Sequence, residues 1–127
     1  MQTLPLFSVP VIIDHLDINS SKLREEKCYV TNESGEDRPF DHYRILEKYP
    51  KIKNALLDRF KNIAKNVLYH NKNNFIITTS WLTKTVKDEI SQSHPHKNSF
   101  FSGIYYYYGN YNKNTAGLEF NNPHLQL

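Results

Sequence analysis

A chain of 127 residues can bury one hydrophobic core but is too short for two ordinary domains, so we expect one domain spanning residues 1–127. Its 39% hydrophobic and 13% aromatic content is sufficient for a packed interior and argues against intrinsic disorder. The net charge of +3 comes from 16 basic residues scattered among 13 acidic ones, which gives no basic cluster and argues against a nucleic-acid partner.

The single cysteine, Cys28, cannot form an intramolecular disulfide, which favours a reducing compartment and predicts a cytoplasmic location. A buried, inert thiol is its expected role. The N-terminal segment has no basic residue ahead of its apolar stretch, and Pro5 and Pro10 would interrupt a helix there. The sequence therefore predicts neither a signal peptide nor a membrane span, and we expect no membrane partner.

The first third of the chain predicts short elements joined by a loop. Residues 6–14, LFSVPVIID, are β-branched and apolar with an internal proline, which is typical of an edge strand. Residues 19–28 begin with capping residues and continue with charged helix formers, which predicts a short surface helix. Residues 31–44 are polar and contain glycine and proline, which indicates a loop.

Residues 50–70 carry the clearest helical pattern in the chain. Apolar side chains recur at steps of three and four residues, and Pro50 stands where a first helical turn tolerates proline. The stripe consists of Ile52, Leu56, Phe60, Ile63 and Val67, widened by Leu57, Ala64 and Leu68. The sequence predicts an amphipathic helix whose other face, rich in lysine and asparagine, is solvated.

From residue 74 onward the composition becomes that of extended chain. Residues 74–86, 99–108 and 116–120 are rich in β-branched and aromatic residues, and the linker at 109–117 has the composition of a hairpin loop. Helices followed by strands predict an α+β fold in which the long helix packs on a sheet. We expect Trp81, in the first of these segments, to belong to the core.

Two histidines one residue apart precede the tyrosine-rich segment. In extended chain His94 and His96 point the same way, about 7 Å apart, so that both imidazoles can bind one metal ion. Such a pair supplies two ligands and needs a third from elsewhere. Two solvent-exposed histidines are the simpler alternative. A two-metal hydrolase is disfavoured because Lys97, not an Asp-His pair, follows.

The segments HPH, SGIYYYY and AGLEFNNP, in that order, resemble the metal-binding half of the iron(II)/2-oxoglutarate-dependent dioxygenases. The similarity is to prolyl-hydroxylase-like members, and especially to a phage and bacterial branch with His-x-His followed by Ser-Gly-x-Tyr-Tyr. It covers about residues 75–127. The resemblance implies a helix packed on a partial double-stranded β-helix sheet of jelly-roll or cupin type, with iron(II) and 2-oxoglutarate as cofactors.

The resemblance also assigns roles to individual residues. His94 matches the first iron ligand, and His96 stands at the position of the family's carboxylate ligand, a departure that makes the site more cationic. Tyr106 matches the tyrosine that hydrogen-bonds 2-oxoglutarate, and Leu118 matches an apolar wall of the cosubstrate pocket. For Tyr106, a core position with a satisfied hydroxyl group remains the alternative.

The family's third ligand, a distal histidine, and the basic residue that binds the far carboxylate of 2-oxoglutarate are expected beyond Leu127. His124, in the turn after the last matched segment, is a weak candidate for the missing ligand. We therefore expect an incomplete dioxygenase domain, a shortened chain without activity, or a partner that completes the sheet. Open sheet edges would also favour a homo-oligomer.

The sequence thus predicts a hydroxylase acting on an unidentified protein or small molecule, with peptidyl hydroxylation suggested by the resemblance. The first alternative is a non-catalytic binding module, such as a phage accessory protein, that keeps the sheet without the chemistry. The second is a zinc site with a purely structural role.

Overall fold

The computed structural model describes residues 9–30, 40–72, 74–86, 89, 96, 99–109, 118 and 120. Four helical elements occur in this part of the chain: α1 (Ser21–Arg24), two 3₁₀ helices (Phe40–Tyr43 and Ile45–Lys48) and the long helix α2 (Pro50–Asn66). None of the helices found among these residues is both long and apolar enough to cross a membrane.

Helix α2 confirms the helical pattern read from the sequence. Pro50 occupies its first turn, and Ile52 and Ala64 are buried on the face that meets the rest of the protein. The helix ends at Asn66, four residues before the predicted end. Tyr69, beyond this end, has a left-handed φ of 53°, and the His70 N–H donates a 2.8 Å bond to the carbonyl oxygen of Ala64.

The hydrophobic core joins segments that are distant in sequence. Its buried members are Leu23 of α1, Ile45 of the second 3₁₀ helix, Ile52 of α2 and Leu82 of the segment 74–86. Partly buried side chains pack around these four: Ile18, Cys28, Tyr29, Leu46, Tyr49, Leu56, Tyr105 and Tyr107. Burial of four aliphatic side chains from four segments fixes how the helices lie against the C-terminal half of the chain.

A group of aromatic rings covers the later turns of α2. Phe60 lies 5.0 Å, centroid to centroid, from both Phe75 and Phe101, and those two rings are 6.0 Å apart. The imidazole of His70 makes an edge contact with Phe75 at 5.3 Å. The long helix therefore packs on the two segments that follow it, 74–86 and 99–109, although these segments do not form the predicted sheet.

The predicted β-sheet, however, is wrong. No strand occurs in the described ranges, including 74–86 and 99–109, so that neither the α+β fold nor a partial double-stranded β-helix is formed by them. The nearest feature is one isolated parallel bridge between Arg44 and Ser80. β-branched residues do favour extended chain, but a sheet needs a neighbouring strand, and Ser80 in the segment 74–86 instead hydrogen-bonds to residues of the two 3₁₀ helices.

The other local predictions have mixed outcomes. The surface helix expected over 19–28 is reduced to α1, because the Glu26 carboxylate accepts the backbone N–H groups of Lys27 and Cys28 and so ends the helix. The predicted loop contains a 3₁₀ helix at Phe40–Tyr43. The described part of the predicted edge strand forms no strand, and the predicted hairpin loop at 109–117 lies outside the described residues except for Gly109.

Candidate functional site

The candidate site is built on the backbone around Ser80. The Ser80 N–H donates to the carbonyl oxygen of Tyr43 at 2.9 Å, and the Ser80 carbonyl oxygen accepts the Ile45 N–H at 3.0 Å. The Ser80 hydroxyl group accepts a third bond, from the Leu46 N–H at 3.1 Å. Two residues further on, the Leu82 carbonyl oxygen accepts the Val30 N–H at 2.8 Å. Residues 80–82 are therefore held from both sides.

Trp81 lies between these two attachment points. Because the Leu82 side chain enters the core, the neighbouring Trp81 side chain points to another side, where it is half-buried. Its indole meets the Tyr43 ring edge-on at 6.4 Å and stacks on the His96 imidazole at 5.7 Å with an interplanar angle of 21°. The predicted core position of Trp81 is thus replaced by an aromatic contact at the margin of the core.

His96 is exposed, and its ring lies against that indole. An exposed imidazole next to a fixed aromatic surface is a suitable metal donor, since its ring orientation is limited before any metal binds. Its predicted companion His94 lies outside the described residues, as does His124. Within the described ranges no group of three histidine, cysteine, aspartate or glutamate side chains is placed to hold a metal.

The tyrosine run shows the alternation that the sequence predicted. Tyr105 and Tyr107 are half-buried, pack on the core and have ring centroids 6.5 Å apart. Ile104, Tyr106 and Tyr108 are 60%, 54% and 70% exposed. The alternative that placed Tyr106 in the core is therefore wrong, and its side chain lies on the outer side of the segment.

The tyrosine segment is also held by α1. The Arg24 guanidinium lies 4.8 Å from the centre of the Tyr108 ring, a cation–π geometry. The Ser20 hydroxyl group makes a long hydrogen bond, 3.5 Å, to the Tyr107 carbonyl oxygen. These contacts locate the tyrosine segment beside the N-terminal helix.

Leu118, the predicted wall of the cosubstrate pocket, is 49% exposed.

The remaining histidines were expected at the surface. His15 and His70 are exposed, in agreement with that expectation. His42 is half-buried, and its Nδ1 atom is buried with no hydrogen-bond partner within the described part of the chain. The expectation for His42 is therefore wrong, because the 3₁₀ helix that carries it turns the ring inward.

Sequence reasoning missed the contribution of Tyr43 and the anchoring role of Ser80. Neither residue belongs to a recognisable pattern, since Tyr43 falls in a segment read as a loop and Ser80 in a run read as a strand. Their roles arise from hydrogen bonds and ring contacts between residues 34 to 38 positions apart. No local periodicity reports such contacts.

Comparison with known proteins gives no match: no family model, no curated protein and no solved structure is significantly similar to the chain. The resemblance to the dioxygenases is therefore carried by the quoted motif residues alone.

Proposed function

We propose that the chain supplies metal- and cosubstrate-binding residues of an iron(II)/2-oxoglutarate-dependent dioxygenase that hydroxylates a protein or small-molecule substrate. The motif order supports the proposal, with His94 and His96 as metal ligands. The observation that carries it furthest is the exposed His96 imidazole on the Trp81 indole. The exposed position of Tyr106 agrees with its assignment to the cosubstrate.

The donor set is only partly present in the described chain. His96 supplies one imidazole donor, and no complete set of three metal-binding side chains accompanies it there. Iron(II), when bound with 2-oxoglutarate, would supply the oxygen chemistry, and the protein's part is to bind and orient. We therefore assign binding roles to His94, His96, Tyr106 and Leu118 and no step of the reaction.

The second histidine has a consequence for metal choice. A neutral imidazole at the position of a carboxylate removes one negative charge from the ligand set, which weakens the attraction of a divalent cation. Imidazole donors suit iron, nickel, copper and zinc, whereas carboxylates suit harder cations. We expect weaker iron(II) binding than a ligand pair containing a carboxylate would give, and replacement of His96 by aspartate should strengthen it.

The test measures iron(II) binding without oxygen by calorimetry, followed by conversion of 2-oxoglutarate to succinate. Wild-type chain is compared with H94A, H96A and H96D, and H70A serves as the matched control because His70 is an exposed histidine outside the motif. The proposal expects binding in the wild type and H70A, and loss of it in H94A and H96A. Equal metal content in all variants would exclude both histidines as ligands.

The succinate assay separates the alternatives. Stoichiometric zinc retention without 2-oxoglutarate turnover would indicate a structural metal site. No metal binding by the wild type, with folding intact, would leave a binding module without oxygenase chemistry. Succinate formation that requires His94 and His96 would support the dioxygenase.

A further inference from the structure

We infer that Trp81 is a positioning residue for His96: its indole sets the plane of the imidazole and so limits the directions in which that ring can bind a metal. The inference rests on the proposed function, in which His96 is a ligand. It adds a residue to the site that the motif resemblance did not assign.

Trp81 is suited to this role because its backbone is attached on both sides. Ser80 makes three hydrogen bonds to the segment 43–46, and Leu82 is bonded through its carbonyl oxygen to Val30. Leu82 is also 7% exposed and belongs to the core. The indole is therefore attached next to a buried member of the core, while the imidazole that it contacts is exposed.

The geometry of the pair explains how the indole acts on the ligand. The rings are 5.7 Å apart and 21° from parallel, which is an offset stack. An imidazole binds a metal through a nitrogen lone pair in the plane of the ring. An indole that holds this plane therefore restricts the metal to directions beside the stack and lowers the conformational entropy lost on binding.

Tyr43 completes the support. Its ring meets the indole edge-on, at an interplanar angle of 64°, and its carbonyl oxygen accepts the Ser80 N–H. One residue thus contacts the indole and fixes the backbone next to it. This double attachment distinguishes Trp81 from an aromatic side chain that merely lies near a histidine.

The chain contains a single tryptophan, so that the tryptophan emission reports on Trp81 alone. Cobalt(II), an open-shell ion, quenches a nearby indole, whereas zinc(II) has a filled d shell and serves as the non-quenching control. We expect cobalt(II) to quench the wild type, zinc(II) to leave much more of the emission, and H96A to lose the cobalt effect. H70A should behave as the wild type.

Two substitutions test positioning itself. W81F keeps an aromatic face, while W81L keeps an apolar side chain without a ring. Cobalt(II) affinity, measured by calorimetry, should fall about two- to tenfold in W81L and recover in W81F, as expected for the loss and return of a ring stack. Thermal unfolding of each variant establishes that it is folded.

A metal-free measurement tests the stack independently. In ¹H NMR of histidine-labelled protein, the carbon-bound protons of His96, assigned with H96A, should move in W81L because the ring current of the indole is lost. Unchanged shifts would overturn the stack, and unchanged cobalt(II) affinity in W81L would overturn the positioning role while leaving the proposed ligands intact. A ring-current shift with no metal binding by the wild type would instead overturn the proposed function and, with it, the role of Trp81 toward a metal.

Discussion

The phenolic hydroxyl group of Tyr49 donates a 2.8 Å hydrogen bond to Oε2 of Glu26, joining the start of α2 to the chain that follows α1. Oε1 of the same carboxylate accepts the backbone N–H groups of Lys27 and Cys28, each at 3.0 Å. The bond from Tyr49 is the main reason that the pKa of Glu26 is lowered. Burial, followed by the bond to Glu26, raises the pKa of Tyr49 to about 12.

Replacement of Tyr49 by phenylalanine tests this link. Y49F leaves the Glu26 carboxylate, 14% exposed, without its side-chain donor while keeping the aromatic ring in place. We expect the free energy of unfolding at neutral pH to fall by about 1 to 2 kcal/mol, measured by urea denaturation. Y69F is the matched control, because Tyr69 is 83% exposed, and a similar loss in both variants would contradict a specific role for Tyr49.

The same bond predicts how stability depends on alkaline pH. An unfolded tyrosine ionises near pH 10, whereas the folded pKa of Tyr49 is about 12. Between these values the unfolded chain has already lost the proton, so that the stabilisation is complete below pH 10 and declines as the pH rises toward 12. The difference in unfolding free energy between wild type and Y49F should therefore narrow over this range. A constant difference from pH 9 to 12 would contradict the raised pKa.

The correct prediction of α2 and the wrong prediction of the sheet show which structural features can be predicted from the sequence. The start of α2 could be predicted because Pro50 and the spacing of apolar residues act within a few positions of one another. From the composition of residues 74–86 a tendency toward extended backbone could be predicted, although no strand forms there. Their hydrogen-bond partners could not, since pairing of Ser80 with Tyr43 and Ile45 depends on which distant segment packs beside it.

The candidate site likewise has one feature that could be predicted from the sequence and one that could not. Alternation along residues 104–108 correctly separated Tyr106 from Tyr105 and Tyr107, because it follows from the geometry of extended chain. The stack of Trp81 on His96 could not be foreseen. It requires two side chains 15 positions apart to meet, and this depends on how the backbone is held at Ser80.

The end of α2 offers a test of backbone strain. Tyr69 has a φ of 53°, a left-handed conformation that costs a residue with a Cβ atom about 1 kcal/mol or more. Glycine adopts this conformation without that cost, and little packing is lost because the Tyr69 side chain is 83% exposed. Y69G should raise the free energy of unfolding by about 1 kcal/mol in urea denaturation. Y69A, which keeps a Cβ atom, should show no such gain, and equal effects of the two would exclude strain as the cause.

An exposed ion pair attaches the N-terminal segment to α2. Arg59 donates to Asp14 through Nη2, at 2.7 Å, and through Nε, and these bonds hold the pKa of Asp14 at about 2. Since an unfolded aspartate has a pKa near 4, the stabilisation is present above pH 4 and is lost as the pH falls toward 2. The NMR resonances of the Arg59 side-chain N–H groups should shift as the pH falls from 4 to 2. This shift should be smaller at high salt, because salt screens an exposed ion pair. D14N should abolish this pH-dependent shift, whereas D17N should preserve it. A shift unaffected by D14N would contradict the ion pair between Asp14 and Arg59.

Tyr106 gives the sharpest test of the cosubstrate assignment, because Tyr108 lies on the same side of the segment and provides a control. Tyr106 and Tyr108 are both exposed tyrosines, but the Tyr108 ring lies under the Arg24 guanidinium, and the resemblance assigns no cosubstrate role to Tyr108. If the Tyr106 hydroxyl group hydrogen-bonds 2-oxoglutarate, Y106F should weaken cosubstrate binding to the iron-loaded protein about tenfold, measured by calorimetry. Y108F should leave it unchanged.

Stability provides the second half of that test. Since Tyr106 is 54% exposed and only its hydroxyl group is removed, the unfolding free energy of Y106F should stay within about 0.5 kcal/mol of the wild type. Loss of binding with unchanged stability would assign the hydroxyl group to the cosubstrate. Equal affinities of Y106F, Y108F and wild type would remove Tyr106 from the site and leave the histidines to be judged by metal binding alone.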